Sequence, residues 1–277
     1  MSNHLSDHGA TIPPTTEFGV SDIDCIYEIY NENAKFVRAT MSGIGYQIHD
    51  FLTNPRTIQR HLSGVKDYSS YRALPLPTPR RLAGGLIDAL ASRRSEARYG
   101  APLQADELAT LLHHALAVNH HKVPTQLPHL TLRLKPFASG GGLYPVEFYL
   151  LTPRVDGVDA AVSHYDSRNG GLRVIRDGLP LTTLNRIMTS PFGEGQEPAA
   201  VLFMTGVFQR ATNKYGNKGY KFAMIEAGAA GHTVQLVATS MGLKTTFWNA
   251  FYDDEVERLL GIDGVTESVI TAVLIGK

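Results

Sequence analysis

Residues 135–151 read KPFASGGGLYPVEFYLL. A serine and three consecutive glycines lead into an apolar run of strand type. Glycine is favoured where backbone takes positive φ or must approach another group closely. An ordinary turn before a strand accounts for the run equally well. The pattern is not a dinucleotide-binding fingerprint, because G-x-G-x-x-G started at Gly140 needs glycine where Pro145 stands. It is not a phosphate-binding P-loop either, since no Gly-Lys-Ser/Thr follows.

Outward from this loop, helical and strand patterns mix without regular alternation, which predicts the α+β class. IDCIYEIYNENAKFV has helical spacing at Ile23, Ile26, Tyr27 and Tyr30. LAGGLIDALASRRSEARYG is helical in its first half. In PLQADELATLLHHALAV, Asp106 and Glu107 suit a first helical turn, and Leu108, Leu111, Leu112 and Leu116 share a face. SHYDSRNGGLRVI predicts a hairpin turning at Asn169-Gly170-Gly171. AAVLFMTGVF and SVITAVLIGK are further strands. Between them TNKYGNKGYKFAMIEAGAAGHTVQLVATSMGL predicts a polar loop running into a long helix. That helix carries Ala227, Gly228, Ala230, Gly231 and Ala238 on a side that permits close packing of another backbone.

The chain has 277 residues, 43% hydrophobic and 19% charged, an ordinary composition for a globule with a large core. Lys+Arg and Asp+Glu balance at 26 each, which offers no nucleic-acid surface and no charged tail. Cys25 is the single cysteine, so an internal disulfide, a CxxC pair and a cysteine-rich zinc site are excluded. The first 20 residues, with Pro13 and Pro14, suit a loose tail and lack a signal-peptide pattern. No apolar run reaches the ~20 residues of a membrane span. These features predict a cytoplasmic protein. Pro75, Pro77 and Pro79 mark a boundary. Residues 1–80 are then an extension or small subdomain, a possible partner contact, and 81–277 the main domain.

Four groups carry candidate chemistry. Arg93, Arg94 and Arg98 flank Ser95, and guanidinium forks with a hydroxyl suit a phosphate monoester; a solvated basic helix end explains them too. His113, His114, His120 and His121 form pairs seven apart that could share a helix face, but no carboxylate or cysteine stands at ligand spacing, and no metal site is assigned. Asp253, Asp254 and Glu255 read as an N-cap and first-turn acids. Asn213, Lys214 and Tyr215 sit in the polar loop before the long helix. An ammonium beside a phenol lowers the cost of phenolate formation, so Lys214 and Tyr215 could act as a general base; an ordinary charged loop is the alternative.

SGGGLYPVEFYL, KYGNKGYKFAMIEAG and SMGLKTTFWNAFYDDEVERLLGIDG occur in this order. Together they make residues 85–277 resemble the SagB/McbC-type azoline dehydrogenases, a branch of the flavin-dependent nitroreductase superfamily. The K-Y-x-x-x-G-Y pattern followed by E-x-G is the most specific part. The resemblance implies a nitroreductase-like α+β fold with a central, mostly antiparallel sheet flanked by helices. It also implies non-covalent FMN and a homodimer with each flavin in a groove between subunits. By it, Ser139, Gly140 and Gly141 contact the flavin, and Arg94 and Ser95, with Arg98 beside them, hold its phosphate. Asn249 and Ala250 present backbone N–H groups to the N5 edge, and Lys214 and Tyr215 are catalytic. The chain departs from the family pattern at Ala97, where arginine is common, and at His232-Thr233, where a Gln-Asn pair is common.

The implied reaction is oxidation of thiazoline or oxazoline rings in a ribosomally made precursor peptide to thiazoles or oxazoles. The implied partners are a YcaO-type cyclodehydratase, an E1-like or docking subunit, and the precursor peptide. Two other readings stay open: a general NAD(P)H-dependent nitroreductase or quinone reductase, and a non-catalytic flavin-binding scaffold of a synthetase complex.

Overall fold

A computed structural model describes residues 26–61, 65–123, 131–179, 181–193 and 195–277. The predicted tail over 1–20, Ile23 and Cys25 lie outside the described residues. Two compact units divide between Lys35 and Phe36. Of the first, the structure describes α1 (Ile26–Asn33) and the two residues after it.

The second unit opens with α2 (Met41–Thr53), α3 (Pro55–His61), β1 (Ala73–Leu74) and α4 (Leu86–Ser92). Next come β2 (Leu103–Gln104), α5 (Ala105–Leu116), β3 (His120–Lys122) and β4 (Leu132–Leu134). A 3-10 turn at Gly140–Gly142 leads into β5 (Val146–Leu151), β6 (Val155–Asp156), β7 (Ala161–Asp166) and β8 (Gly171–Asp177). The remainder is α6 (Leu181–Ile187), β9 (Ala200–Val207), α7 (Gln209–Tyr215), α8 (Lys218–Ser240), β10 (Lys244–Trp248), α9 (Asp253–Leu260) and β11 (Glu267–Gly276).

Seven strands form one sheet in the order β1-β8-β7-β5-β9-β11-β10, each paired antiparallel to its neighbours. Alternation along each strand divides the core in two. Val146, Phe148 and Leu150 of β5 join Leu202 and Met204 of β9 beneath the leucines of α5 and the alanines of α8. Tyr149 and Leu151 face the other way, with Val201 and Phe203, toward Leu184 and Ile187 of α6 and Val256 and Leu260 of α9. The class and the central antiparallel sheet are those the sequence predicts.

Several local readings change. The hairpin turn is one residue earlier: Asp166 pairs with Gly171, so Gly171 begins β8, and Gly170 alone takes positive φ (72°). Lys214 and Tyr215 lie in the last turn of a helix, α7, not in a loop. His120 and His121 fall in β3, past the end of α5 at Leu116, so the histidine pairs share no helix face. Tyr252 is the N-cap of α9, and Asp253, Asp254 and Glu255 form its first turn. Residues 65–80 belong to the larger unit: Lys66 Nζ pairs with Glu267 at 2.6 Å, and β1 adds to the sheet edge. Among the described residues no helix is long and apolar enough to cross a membrane.

The small residues of α8 have separate tasks. A Cβ on Gly231 would collide with the Phe247 ring of β10. A Cβ on Gly219 would stand 2.5 Å from the backbone of Ala211 and Thr212, so this glycine sets the α7–α8 distance. Backbone cannot swing aside as a side-chain tip can. Gly219→Ala should therefore lower stability by about 2 kcal/mol, the usual range for forced overpacking, as read from urea unfolding midpoints. Unchanged stability would contradict this packing.

Candidate functional site

The glycine loop meets the end of α7. Gly141 and Gly142 have φ of 68° and 67°, which glycine adopts without steric cost. A Cβ on Gly140 would stand 3.0 Å from Cδ2 of Phe222 in the first turns of α8. A Cβ on Gly141 would fall on the Tyr215 hydroxyl and within 3.0 Å of Lys214 Nζ. Both polar tips of the Lys-Tyr couple thus converge on bare backbone. The Tyr215 ring stacks edge-on against Phe222, centroids 5.0 Å apart. Lys214 is buried, with Nζ 5.1 Å from the Tyr215 ring centre.

Tyr144, where the loop enters β5, has φ of 46°, a left-handed conformation that a tyrosine rarely adopts. Three partners hold it. Its N–H donates to Ser139 Oγ (2.9 Å), its hydroxyl accepts from the Lys135 N–H (2.8 Å), and its carbonyl accepts from Arg210 Nη1 (3.1 Å). Arg210 is in the first turn of α7, and its Nη2 pairs with Glu147 of β5 at 2.5 Å. One side chain therefore ties the base of α7 to the loop that its last turn touches.

Three ionisable side chains are buried beneath the loop, and Glu147 is the one with ion-pair partners among the described residues. Burial pushes the Glu147 carboxyl up, but Arg210, His164 (Nε2 to Oε2, 2.7 Å) and Lys135 overcome it and hold the group well below the usual carboxylate range. Glu226 of α8 accepts from the Val146 N–H at 3.1 Å. Burial lifts its carboxyl to about 7 against the opposing pull of the Ser139 hydroxyl and Lys135. Lys135 is fully enclosed, its Nζ 4.9, 5.2 and 5.8 Å from the ring centres of Tyr144, Phe148 and Phe137. Burial lowers this ammonium to about 8.

A second group gathers around β10. Ser95 bridges Thr245, and the Glu96 N–H donates to the Thr245 carbonyl (3.1 Å). Arg93 Nη1 reaches Ser95 Oγ at 3.4 Å, and Lys244 Nζ reaches the Arg98 carbonyl at 3.3 Å. Arg94 turns back on its helix, bonding the carbonyls of Ala91 and Arg93. Thr245 Oγ1 is buried with no partner in the structure. Past Trp248, Asn249 is exposed, and the Ala250 carbonyl accepts from the Thr189 N–H (2.9 Å) and Trp248 Nε1 (3.1 Å).

The sequence-predicted residues thus fall into two sets. Ser139, Gly140 and Gly141 come together with Lys214 and Tyr215 at the start of α8. Arg94, Ser95 and Arg98 gather at β10, whose far end leads to Asn249 and Ala250. Phe222 marks the first set and Ser240 the turn into β10, about 27 Å apart along the helix. Arg210, Glu226 and Lys244 belong to these surroundings without having been singled out. Only Glu226 carried a signal, as the acid of the E-x-G pattern. Among the described residues no group of three His, Cys, Asp or Glu side chains is placed to hold a metal ion.

A nitroreductase family model matches residues 90–277. The chain belongs to the nitroreductase family. A nitroreductase-like protein of Methanocaldococcus jannaschii is 31% identical over 185 residues, covering 64% of this chain and 84% of that one. The microcin B17-processing protein McbC of Escherichia coli is 29% identical over 152 residues, 51% of this chain and 54% of McbC. The match therefore spans about half the length of McbC. Among solved structures, a nitroreductase-like protein of Anabaena variabilis superposes with a TM-score of 0.62 at 24% identity, over 76% of this chain and 42% of that one. A chain of the Escherichia coli microcin synthetase McbBCD complex with truncated pro-MccB17 bound gives 0.55 at 21% identity, over 91% of each chain. At these identities the structural likeness concerns the fold.

Glu226 gives this nitroreductase family member a measurable pH signature. Its folded-state carboxyl, raised to about 7 from 4.5, keeps a proton that the unfolded chain has already lost. Its stabilisation is complete below the lower value and disappears as pH rises through the upper. Relative to Glu226→Gln, the wild type should lose roughly 3 kcal/mol across that window, at 1.36 kcal/mol per unit. Urea unfolding at a series of pH values reads this difference; parallel curves would contradict it.

Proposed function

We propose that the protein is an FMN-dependent azoline dehydrogenase that oxidises thiazoline or oxazoline rings of a ribosomally made peptide. The observation that carries this reading is the convergence of Tyr215 Oη and Lys214 Nζ on the side-chain-free backbone of Gly141. The couple stands there against a loop without side chains, which by the family resemblance is the loop that would lie along the flavin.

The residues present fit FMN in kind. Arg93, Ser95 and Lys244, with Arg94 and Arg98 near them, supply the guanidinium, hydroxyl and ammonium groups that recognise a phosphate. The partnerless Thr245 hydroxyl adds a further donor. Ser139, Gly140 and Gly141 are the loop residues that would lie along the ring, beside Tyr215 and Lys214, and Asn249 and Ala250 come just after the strand that carries Lys244 and Thr245. FMN held by these residues would supply the two-electron oxidant that the reaction needs.

This chain's own residues manage the proton. The azoline Cα–H is acidified by the adjacent carbonyl and imine-type nitrogen. Tyr215 Oη takes that proton, and the Lys214 ammonium beside it favours the charge that develops on the oxygen or carries the proton onward. Phe222 fixes the phenol ring, and Arg210 fixes α7. Loss of one proton and one hydride leaves the aromatic azole.

A homodimer accounts for the separation of the two residue sets along α8, since a second copy can bring one set to the other. Leu86, Ile87 and Leu90 of α4 and Ile225 of α8 are exposed apolar side chains, as a dimer face requires. The similarity to McbC supports partnership with a YcaO-type cyclodehydratase, an E1-like or docking subunit and a precursor peptide. The relative in Methanocaldococcus jannaschii favours a second reading, a general NAD(P)H-dependent nitroreductase. Rapid reduction of the bound flavin by NADPH in stopped flow would select that reading.

The test is the Lys214→Ala, Tyr215→Phe double variant, assayed on an azoline peptide by mass spectrometry. It should retain yellow, releasable FMN and lose turnover by about a thousand-fold, within the usual range for a general base. Wild-type loss of two hydrogens per ring by the double variant would overturn the assignment.

A further inference from the structure

The family model begins at residue 90, yet a helix well before it packs on the Lys-Tyr couple. Ile44, Gln47 and Phe51 recur on α2 at helical spacing and form a seam along α7. Gln47 Nε2 donates to the carbonyls of Thr212 and Asn213, both at 3.1 Å. A side-chain amide has two N–H groups, and both are used on the last turn of α7, where the Thr212 carbonyl also accepts from the Gly216 N–H at 2.8 Å. Gly216, which ends α7 at φ 58°, faces Ile44: a Cβ there would stand 3.5 Å from Ile44 Cδ1 and 3.8 Å from Gln47 Oε1. Phe51 is 5% exposed, and its ring centre lies 5.4 Å from Lys214 Nζ. The ammonium therefore lies near two aromatic rings, Phe51 from α2 and Tyr215 beside it.

We propose that α2 is a wall of the catalytic centre and that Gln47 and Phe51 are positioning residues for Lys214 and Tyr215. The inference rests on the reading of that couple as the proton acceptor. Gln47 fixes the height of the last turn of α7. Phe51 excludes water from one side of the ammonium and holds it by the attraction between a cation and an aromatic face. A segment outside the family match thereby becomes part of the site, and it acts on the rate of the reaction rather than on cofactor retention.

Full-length, flavin-loaded variants test this on a synthetic peptide carrying one thiazoline ring. Gln47→Met removes both donors at equal length. Phe51→Leu keeps apolar bulk and removes the ring face, and Phe51→Tyr restores the ring. Gln47→Met and Phe51→Leu should each lower kcat about ten-fold per folded, flavin-loaded molecule with KM unchanged, and Phe51→Tyr should recover the rate. Wild-type kcat in both variants, with the Lys214→Ala, Tyr215→Phe control inactive, would overturn this proposal alone. Activity in that control would overturn the reading beneath it. Loss of activity only in proportion to lost flavin or lost folded protein would reduce α2 to a structural element and overturn the proposal as well.

Discussion

The space beside the Cα of Gly141 is claimed by the tips of two side chains, Tyr215 and Lys214. Backbone that close to a phenol oxygen and an ammonium excludes any Cβ, and the loop must turn through positive φ to get there. The strain extends to Tyr144, whose left-handed φ costs on the order of 1–3 kcal/mol. One hydrogen bond donated by its amide and two accepted by its carbonyl and hydroxyl, each with a net value of roughly 1 kcal/mol, match that cost. The loop is therefore held by specific polar groups, and those groups lead to the elements that carry the site: Arg210 to α7, Glu226 to α8, Glu147 to β5.

The buried charges follow from the same arrangement. A carboxylate placed under a loop of bare backbone has little water to solvate it and must be paired. Glu147 finds Arg210 and His164 on one face of the sheet. Glu267 accepts from Tyr149, Thr205 and Lys66, so the segment around Lys66 is bonded to the last strand of the chain, β11. Sheet, loop and α7 are joined by one connected set of ions, which limits how far the Lys-Tyr couple can drift from the glycines.

The parts legible in the sequence are those where burial imposes a period. The leucine face of α5 and the apolar runs of β5, β9 and β11 follow directly from the spacing of their apolar residues. The short helix α7 was not legible. TNKYGNKG has no apolar stripe and too few residues to form a helix alone; it is helical because Gln47, Arg210 and the glycine contacts at 141 and 219 hold it. β10 escaped notice because KTTFW is a half-buried edge strand without clean alternation. At the site, the glycines and the Lys-Tyr couple were legible as residues, but their mutual contact was not, since some 70 residues of chain lie between them. Arg210 and Gln47 offered no local pattern at all. Arg94 and Arg93 were indistinguishable by type; only geometry shows Arg94 on helix carbonyls and Arg93 beside Ser95.

Gly141 and Gly142 have nearly the same positive φ, but a Cβ on Gly142 would meet only Leu134 Cδ2, at 4.0 Å. Alanine at either position imposes similar backbone strain, and only the alanine at 141 strikes the Lys-Tyr couple. The most direct measurement is the single-turnover rate of flavin reduction by an azoline peptide in Gly141→Ala and Gly142→Ala, each loaded with FMN. The account predicts a rate at least about a hundred-fold lower in the first than in the second, the scale of loss expected when reacting groups are displaced by about 1 Å. Equal rates in the two variants would contradict it.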